Sequence, residues 1–217
     1  NNAINNATTD FYRLNWVGEG DHQDDPIFKE LVNKYGNQAY GLCIKEDLKE
    51  FEPEIVFICV PTPMSDDGSQ DSSIIENVIK ELVLHCPNAI KVVKSTVLPS
   101  LLDELHKLDS KLVYNPEFLR EKHANLDFVN SEMIIFGGDR NISTQVANAY
   151  LRHSRCKTKE HIFTDLKTAS FIKYSINTFL ATKVTFFNQL YDITKDHNAN
   201  YNAIVSAIGS DPRITHS

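Results

Sequence analysis

The sequence predicts an α/β fold: a mostly parallel, doubly wound sheet, incomplete at its amino-terminal end, followed by one long helix. Two observations predict the sheet. The runs Glu54–Val60 and Ala89–Val93 are almost continuously apolar and β-branched rather than alternating, as strands buried on both faces are. Between them, Ile74, Ile75, Val78, Ile79, Leu82 and Val83 recur at helical spacing, and strands alternating with helices build parallel sheets. A third observation predicts the long helix. Asp165 to Lys195 holds neither proline nor glycine and carries a wide apolar stripe, including Ile172, Ile176, Phe179, Leu180, Val184, Phe187, Leu190 and Tyr191.

Taken in order, the first ten residues are polar, show no usable period and are expected to be poorly ordered. Gly18-Glu19-Gly20 holds two glycines of a phosphate-loop fingerprint, but Gln23 occupies the third glycine's place and no apolar strand precedes it. From Pro26, the spacing of Ile27, Phe28, Leu31, Val32 and Tyr35 predicts a helix stopped at Gly36. Tyr40–Ile44 reads as a short strand and 47–51 as a helical turn broken at Pro53. Ser73 with Glu76 reads as a capping box for the helix that follows the first buried strand. Leu112-Val113-Tyr114 closes a further strand, and Met133–Phe136 is another, ended by the turn Gly137-Gly138-Asp139. Val146, Ala149, Tyr150 and Leu151 suggest a helix, and His161-Ile162-Phe163 a last strand. Residues 1–163 thus read as one Rossmann-like domain without its first β-α unit, and residues 164–217 as the start of a helical domain.

Composition bounds the function. With 217 residues and 41% hydrophobic content the chain can bury a sizeable core. Lysine plus arginine number 22 against 29 acids, a net charge of −7, which disfavours sequence-independent binding to nucleic acid or an anionic membrane. No apolar run approaches the roughly 20 residues of a membrane span, and no charged-then-apolar leader opens the chain, so the cytoplasm is the expected compartment. Cys43, Cys59, Cys86 and Cys156 form no C-x-x-C pair and are expected as free thiols, Cys59 as a small core residue. No metal site is expected.

The stretch Tyr114 to Glu121 organises the candidate site. Asn115-Pro116 demands an extended turn after a strand. Glu117 and Glu121 lie four apart. If Glu117 opens a helix, both carboxylates share one face just beyond a strand's carboxyl end, where open α/β sheets bind ligands. The same spacing also describes a solvated helix start favoured by the helix dipole. On the long helix, Lys173 and Asn177 stand one turn apart, a spacing equally suited to a snorkelling lysine with a neutral neighbour.

Asn115-Pro116-Glu117-Phe118-Leu119-Arg120-Glu121, continued by Ala124-Asn125-Leu126-Asp127-Phe128, closely resembles a signature of the UDP-glucose/GDP-mannose dehydrogenase family. Four further segments resemble the same family in the same order: Val60-Pro61-Thr62-Pro63 with Asp67-Gly68 and Asp71; Lys94-Ser95-Thr96-Val97; Ile172-Lys173-Tyr174 through Lys183; and Asp211-Pro212-Arg213-Ile214. The resemblance implies an NAD-dependent enzyme that oxidises the primary alcohol of a nucleotide sugar, UDP-glucose being the leading candidate, to a carboxylate. Such chemistry needs an alkoxide stabiliser, a base with activated water, and a thiolate. By resemblance, Lys173 and Asn177 supply the first, and Glu117 with Thr96 the second. Pro61, Thr62, Ser95, Thr96 and Glu121 would meet NAD; Phe118, Leu119, Glu121, Lys173, Asn177 and Arg213 would meet the substrate, Arg213 from a neighbouring subunit. The long helix would build a homodimer.

Departures from the pattern qualify this expectation. Leu98 intervenes between Val97 and Pro99, Lys122 stands where the family has glycine, and Ser170 replaces an acid three residues before Lys173. No cysteine here sits in a glycine-rich nucleophile loop, so the chain alone is expected to be inactive and to be an internal piece of the enzyme. The competing readings are an inert nucleotide-binding or dimerisation module and a hydroxyacid dehydrogenase with a similar domain and long helix.

Overall fold

The structure, a computed structural model, describes residues 52–156, 158 and 160–215. The helix expected from Pro26, the strand at 40–44, the turn at 47–51 and the Gly18–Gly20 stretch lie outside the described residues. Five strands form one sheet in sequence order: β1 (Ile55–Ile58), β2 (Ile90–Val93), β3 (Leu112–Tyr114), β4 (Met133–Gly137) and β5 (Glu160–Thr164). The helices are α1 (Ser73–His85), α2 (Pro99–Leu108), α3 (Ala124–Val129), α4 (Arg140–His153), α5 (Leu166–Asp196), α6 (Tyr201–Ser210) and α7 (Pro212–Thr215). Neighbouring strands are parallel except β3 and β4, which meet antiparallel at Tyr114 and Gly137.

Because strand side chains alternate, the sheet has two apolar faces. Val56, Ile58, Val93, Leu112, Tyr114 and Ile135 point into one cluster, closed by Ile75, Ile79 and Leu82 of α1, Leu102 and Leu105 of α2, and Leu166 and Ala169 of α5. Phe57, Val92, Val113, Ile134 and Phe136 enter the other, closed by Val146, Ala147 and Tyr150 of α4. Each fully buried Ile, Leu or Phe contributes roughly 1.5–3 kcal/mol. Helices on both faces make the sheet doubly wound, as its unalternating strands demanded.

One charged residue interrupts this apolar pattern. Lys91 of β2 is fully buried, and its ammonium lies 2.6 Å from Asp109 Oδ2 and donates to the Cys86 carbonyl at 2.8 Å. A buried lysine survives only with such partners, since removing one would cost about 3–5 kcal/mol.

Local signals place the helix starts, with differences from the sequence reading. Ser72, not Ser73, is the N-cap of α1; its hydroxyl bonds Glu76 Oε1 at 2.6 Å, and the Asp71 carboxylate accepts from the Ser73 amide at 2.9 Å. Helix α2 was not predicted. The residue Leu98, extended at φ −62° and ψ 147°, puts Pro99 in the first turn, where a missing N–H costs nothing. Asp139, expected in a turn, caps α4 by accepting from the Asn141 and Ile142 amides at 2.9 and 3.0 Å. Asp165 caps α5 through both the amide and the hydroxyl of Thr168, at 2.8 and 2.6 Å. Helix α5 spans 31 residues, as its uninterrupted pattern predicted, or about 46 Å.

The chain parts into two compact units between Lys173 and Tyr174, within α5. In the second unit, Tyr201 of α6 packs edge-on to Tyr191 with ring centroids 5.2 Å apart. Asn200 caps α6 by accepting from the Ala203 amide. Helices α6 and α7 were not predicted, since neither the Tyr201–Ser210 pattern nor Asp211-Pro212 was read as helical. Phe179, Leu180, Val184, Phe186, Tyr191 and Ile193 of α5 are exposed.

The tightest approach in the first unit is at Gly137. A Cβ there would stand 2.6 Å from Ala169 Cβ and 3.0 Å from the Asp165 carbonyl oxygen. Gly137→Ala is expected to destabilise the first unit by about 1–3 kcal/mol, the usual cost of overpacking. Gly209→Ala, which meets nothing within 4 Å, is expected to cause no loss; urea denaturation of both variants checks the contrast.

Candidate active site

The loops after β1, β2 and β3 are tied together at the sheet's carboxyl edge. Ser95 Oγ donates to the Val60 carbonyl at 2.6 Å, and Thr62 Oγ1 donates to the Thr96 carbonyl at 3.0 Å. Gln70 makes a two-sided clamp, its amide nitrogen donating to the Thr96 carbonyl at 2.8 Å and its oxygen accepting from the Leu98 amide at 3.2 Å. From below, Ser170 of α5 donates to the Val97 carbonyl at 2.6 Å. The serine that replaces an acid in the sequence pattern therefore anchors the long helix to this loop.

Asn115 is the central buried polar group. Its amide nitrogen donates to the Ile135 carbonyl at 2.7 Å, and its oxygen accepts the Tyr150 hydroxyl at 2.6 Å. Lys94, next after β2, donates to the Asn115 carbonyl and side-chain oxygen, both at 3.2 Å, and to the Tyr150 hydroxyl at 3.4 Å. Its ammonium also lies 3.6 Å from Glu117 Oε2. Tyr150 is wedged among Phe57, Phe128 and Phe136. Burial pushes its phenol above the ordinary tyrosine range, against the pull of Lys94, so it acts as a neutral hydrogen-bonding group.

Lys173 reaches the same turn from α5. Its ammonium donates to the main-chain carbonyl of Glu117 and sits 5.1 Å from the Phe118 ring centroid. Burial holds this amine below the ordinary lysine range; Glu117 acts in the opposite sense, and Lys94 adds to the depression. The site thus gathers two amines, a half-exposed carboxylate and the partly exposed hydroxyls of Thr62, Ser95 and Thr96.

The remaining sequence-derived residues are distributed as follows. Pro61 is exposed, while Phe118 and Leu119 are partly buried, Phe118 against the core. Glu117 does not open a helix: residues 115–120 are irregular, and Glu121 begins a single 3-10 turn, Glu121–His123. The expected shared helical face for Glu117 and Glu121 is therefore corrected: the proline steers Asn115 away from the α region, no helix starts before Glu121, and Arg120 is itself extended (φ −84°, ψ 127°). Cys59 is also corrected, being exposed rather than in the core, since β1 ends at Ile58. Asn177 and Arg213 are exposed residues of the second unit, and Arg213 pairs with Asp211 at 2.6 Å.

Sequence reading did not single out Lys94, Asn115, Gln70 or Tyr150. For Lys94 a signal existed: a lone cation immediately after a buried strand must find partners. Asn115 was noticed only for its effect on backbone geometry, and nothing local marks Gln70 or Tyr150.

The residues at the strand ends fit a dinucleotide. Pro61 presents an exposed ring, Thr62, Ser95 and Thr96 offer hydroxyl oxygens, and none of these four carries a charge that would repel phosphates. Residues 24–154 match the NAD binding domain of the UDP-glucose/GDP-mannose dehydrogenase family, and residues 167–217 match that family's central domain. The UDP-glucose 6-dehydrogenase of Rickettsia bellii is 32% identical over 203 residues, covering 87% of this chain and 46% of the relative. That of Rhizobium meliloti is 34% identical over 211 residues, covering 87% and 47%. Among solved structures, a ternary complex of GDP-mannose dehydrogenase from Pseudomonas aeruginosa superposes with a TM-score of 0.73 at 25% identity, covering 95% of this chain and 50% of that one. The chain therefore spans about half the length of the relatives it matches.

The loop that carries Phe118 and Leu119 is clamped by an ion pair. Arg120 donates from its amide, Nε and guanidinium to Asp127 at 2.9, 3.0 and 2.7 Å. These bonds, the side-chain ones foremost, lower the Asp127 carboxyl from 3.8 to about 2. A depressed carboxyl contributes stability that is complete above its ordinary value and lost as pH falls through the folded one. Asp127→Asn is expected to melt below the parent protein at pH 6, with the gap closing as pH approaches 2; thermal melts across that range measure it.

Proposed function

Since the chain belongs to the UDP-glucose/GDP-mannose dehydrogenase family, we propose that it supplies the NAD-binding edge and part of the catalytic cleft of a nucleotide-sugar 6-dehydrogenase. UDP-glucose is the proposed substrate, because the relatives from Rickettsia bellii and Rhizobium meliloti bear that name. The observation that carries the reading is the meeting of Lys173 with the Glu117 turn beside the Thr96 loop. These groups come from α5 and from the ends of β3 and β2, and an alcohol oxidation needs such groups near one carbon.

Pro61, Thr62, Ser95 and Thr96 would hold NAD, with Glu121 at its edge; when bound, NAD accepts hydride from the substrate carbon. Lys173, as ammonium, would hold the alkoxide that develops as the proton leaves. Burial, which lowers this amine's hold on its own proton, would strengthen the hydrogen bond it donates to that oxygen. Asn177, in the second unit, is carried over from the family resemblance as a further donor to the substrate. Glu117 would take protons from the alcohol or from a water that the Thr96 hydroxyl orients. Phe118 and Leu119 would wall the sugar, and Arg213 of a second copy would meet the substrate.

Carriage of an intermediate on a cysteine is not proposed for Cys59, Cys86 or Cys156. Cys86 is buried, and burial raises its thiol above the ordinary range. Cys59 is exposed as a residue, but the protein around its sulfur desolvates the thiol enough to raise it above the ordinary range, against the pull of Lys94. The chain alone is therefore expected to bind NAD without turning over.

Titration calorimetry should show saturable NAD binding, weakened at least about tenfold, roughly 1.4 kcal/mol, by Thr96→Trp, which fills the strand-end ledge. Equal binding in that variant, or none in the parent, would overturn the placement of NAD. NADH formed from UDP-glucose by this chain alone would overturn the division of labour.

The exposed face of α5 is proposed to pair two copies. Phe179, Phe186 and Ile193 share one exposed stripe at seven-residue spacing, and Leu180, Val184 and Tyr191 share another; monomers rarely leave such apolar stripes to water, and two-fold pairing would cover them. Sedimentation velocity is expected to show a concentration-dependent dimer that Phe186→Asp weakens more than tenfold (roughly 1.4 kcal/mol); a stable monomer in the parent protein would refute the pairing.

A further inference from the structure

We propose that Lys94 is a positioning residue of this site, a fixed buried ammonium that holds the Glu117 turn from beneath and links the charge on Glu117 to that on Lys173. The inference rests on the reading of Glu117 and Lys173 as site residues. Its starting point is geometric: two lysines from different elements converge on one residue, Lys94 on the Glu117 carboxylate at 3.6 Å and Lys173 on the Glu117 main-chain carbonyl.

The two amines are held differently. The Lys94 side chain is only 14% exposed and is anchored by the Asn115 carbonyl, the Asn115 side-chain oxygen and the Tyr150 hydroxyl. Glu117 is 46% exposed at the other end of the contact. The cation is thus the fixed partner, and the carboxylate is the one able to swing or take up a proton. Lys173 has a single main-chain acceptor and an aromatic ring beside it.

The titratable groups that act on Lys94 come from every neighbouring element: Cys59 after β1, Glu117 after β3 and Tyr150 on α4. Burial opposes its charge, yet the hydrogen bond to Tyr150 and the Glu117 carboxylate oppose burial, and the amine is raised above the ordinary lysine range. Lys94 therefore stays charged at neutral pH, and Lys173, whose amine burial and Lys94 both depress, is the more readily deprotonated of the two. With its carboxylate ionised, Glu117 offsets the field of Lys94 at Lys173. Once Glu117 takes up a proton, that field is unopposed, and Lys173 releases its own proton more easily. The base and the oxyanion holder are thereby coupled through Lys94, whose polar partners are Asn115, Tyr150 and Glu117.

Amine reactivity reads this coupling without turnover. Acylation of Lys173 by acetic anhydride is followed by mass spectrometry from pH 7 to 10 in the full chain, with exposed Lys80 and Lys107 as internal references. Lys94→Met is expected to slow Lys173 labelling at pH 8 about threefold, and Glu117→Gln to speed it about threefold, shifts of about half a pKa unit in opposite directions. Lys94→Arg, which keeps the charge, should restore most of the parent rate. Identical Lys173 profiles in all the folded variants would overturn the proposal. If Lys94→Met does not fold, Glu117→Gln decides alone, since it alters a half-exposed carboxylate, and an unchanged profile there has the same consequence. A labelling pattern as expected with no NAD binding would leave this proposal standing and overturn the functional reading instead.

Discussion

The side chain of Asn115 gives its amide to the Ile135 carbonyl and receives the Tyr150 hydroxyl on its oxygen; the turn after β3 is held in place by this pair of bonds. Its own main-chain amide donates to the Val93 carbonyl at 2.8 Å, so one buried residue joins the ends of β2 and β3 and the middle of β4 to α4. Buried polar groups persist only when satisfied, and here every partner is fixed by the sheet or by the aromatic packing around Tyr150. Pro116, buried beside it, then keeps the chain extended. Glu117 then follows at the surface, its place set by the buried Asn115 and Pro116 before it.

Strand β2 and the residue after it carry two lysines with opposite uses. Lys91 is closed off with Asp109 and the Cys86 carbonyl, inside the domain and away from the site residues. Lys94 lies at the carboxyl edge, where its partners are three neutral acceptors and one half-exposed carboxylate. A buried cation matched by one buried anion is structural; one whose counter-ion faces water can respond to a change at the surface. The difference follows from position along the strand, since ligands meet parallel sheets at the carboxyl ends.

Much of the architecture was legible because buried parallel strands and long helices write themselves in short-range patterns. The unalternating runs at 54–60 and 89–93 became β1 and β2, and the stretch without proline or glycine became α5. Short or polar elements were less legible. Helix α2 begins at a proline that the resemblance had marked only as a displaced loop residue, and α6 carries too few buried positions to show a period, none of its residues being buried. The helical spacing of Glu117 and Glu121 misled, because the stretch after the proline stays irregular up to Glu121.

By itself, the sequence determined the α/β class, the sites of the main strands, the long helix and the ordered motifs that mark the family, all of which depend on residues within a few positions of one another. Only the tertiary structure decided that Lys173 meets Glu117 across 56 positions, that Tyr150 meets Asn115 across 35, and that Lys94 lies beneath them. Such contacts are set by strand register and by how helices pack on the two sheet faces. No local period records them, because the free energy that selects them belongs to the packed core as a whole.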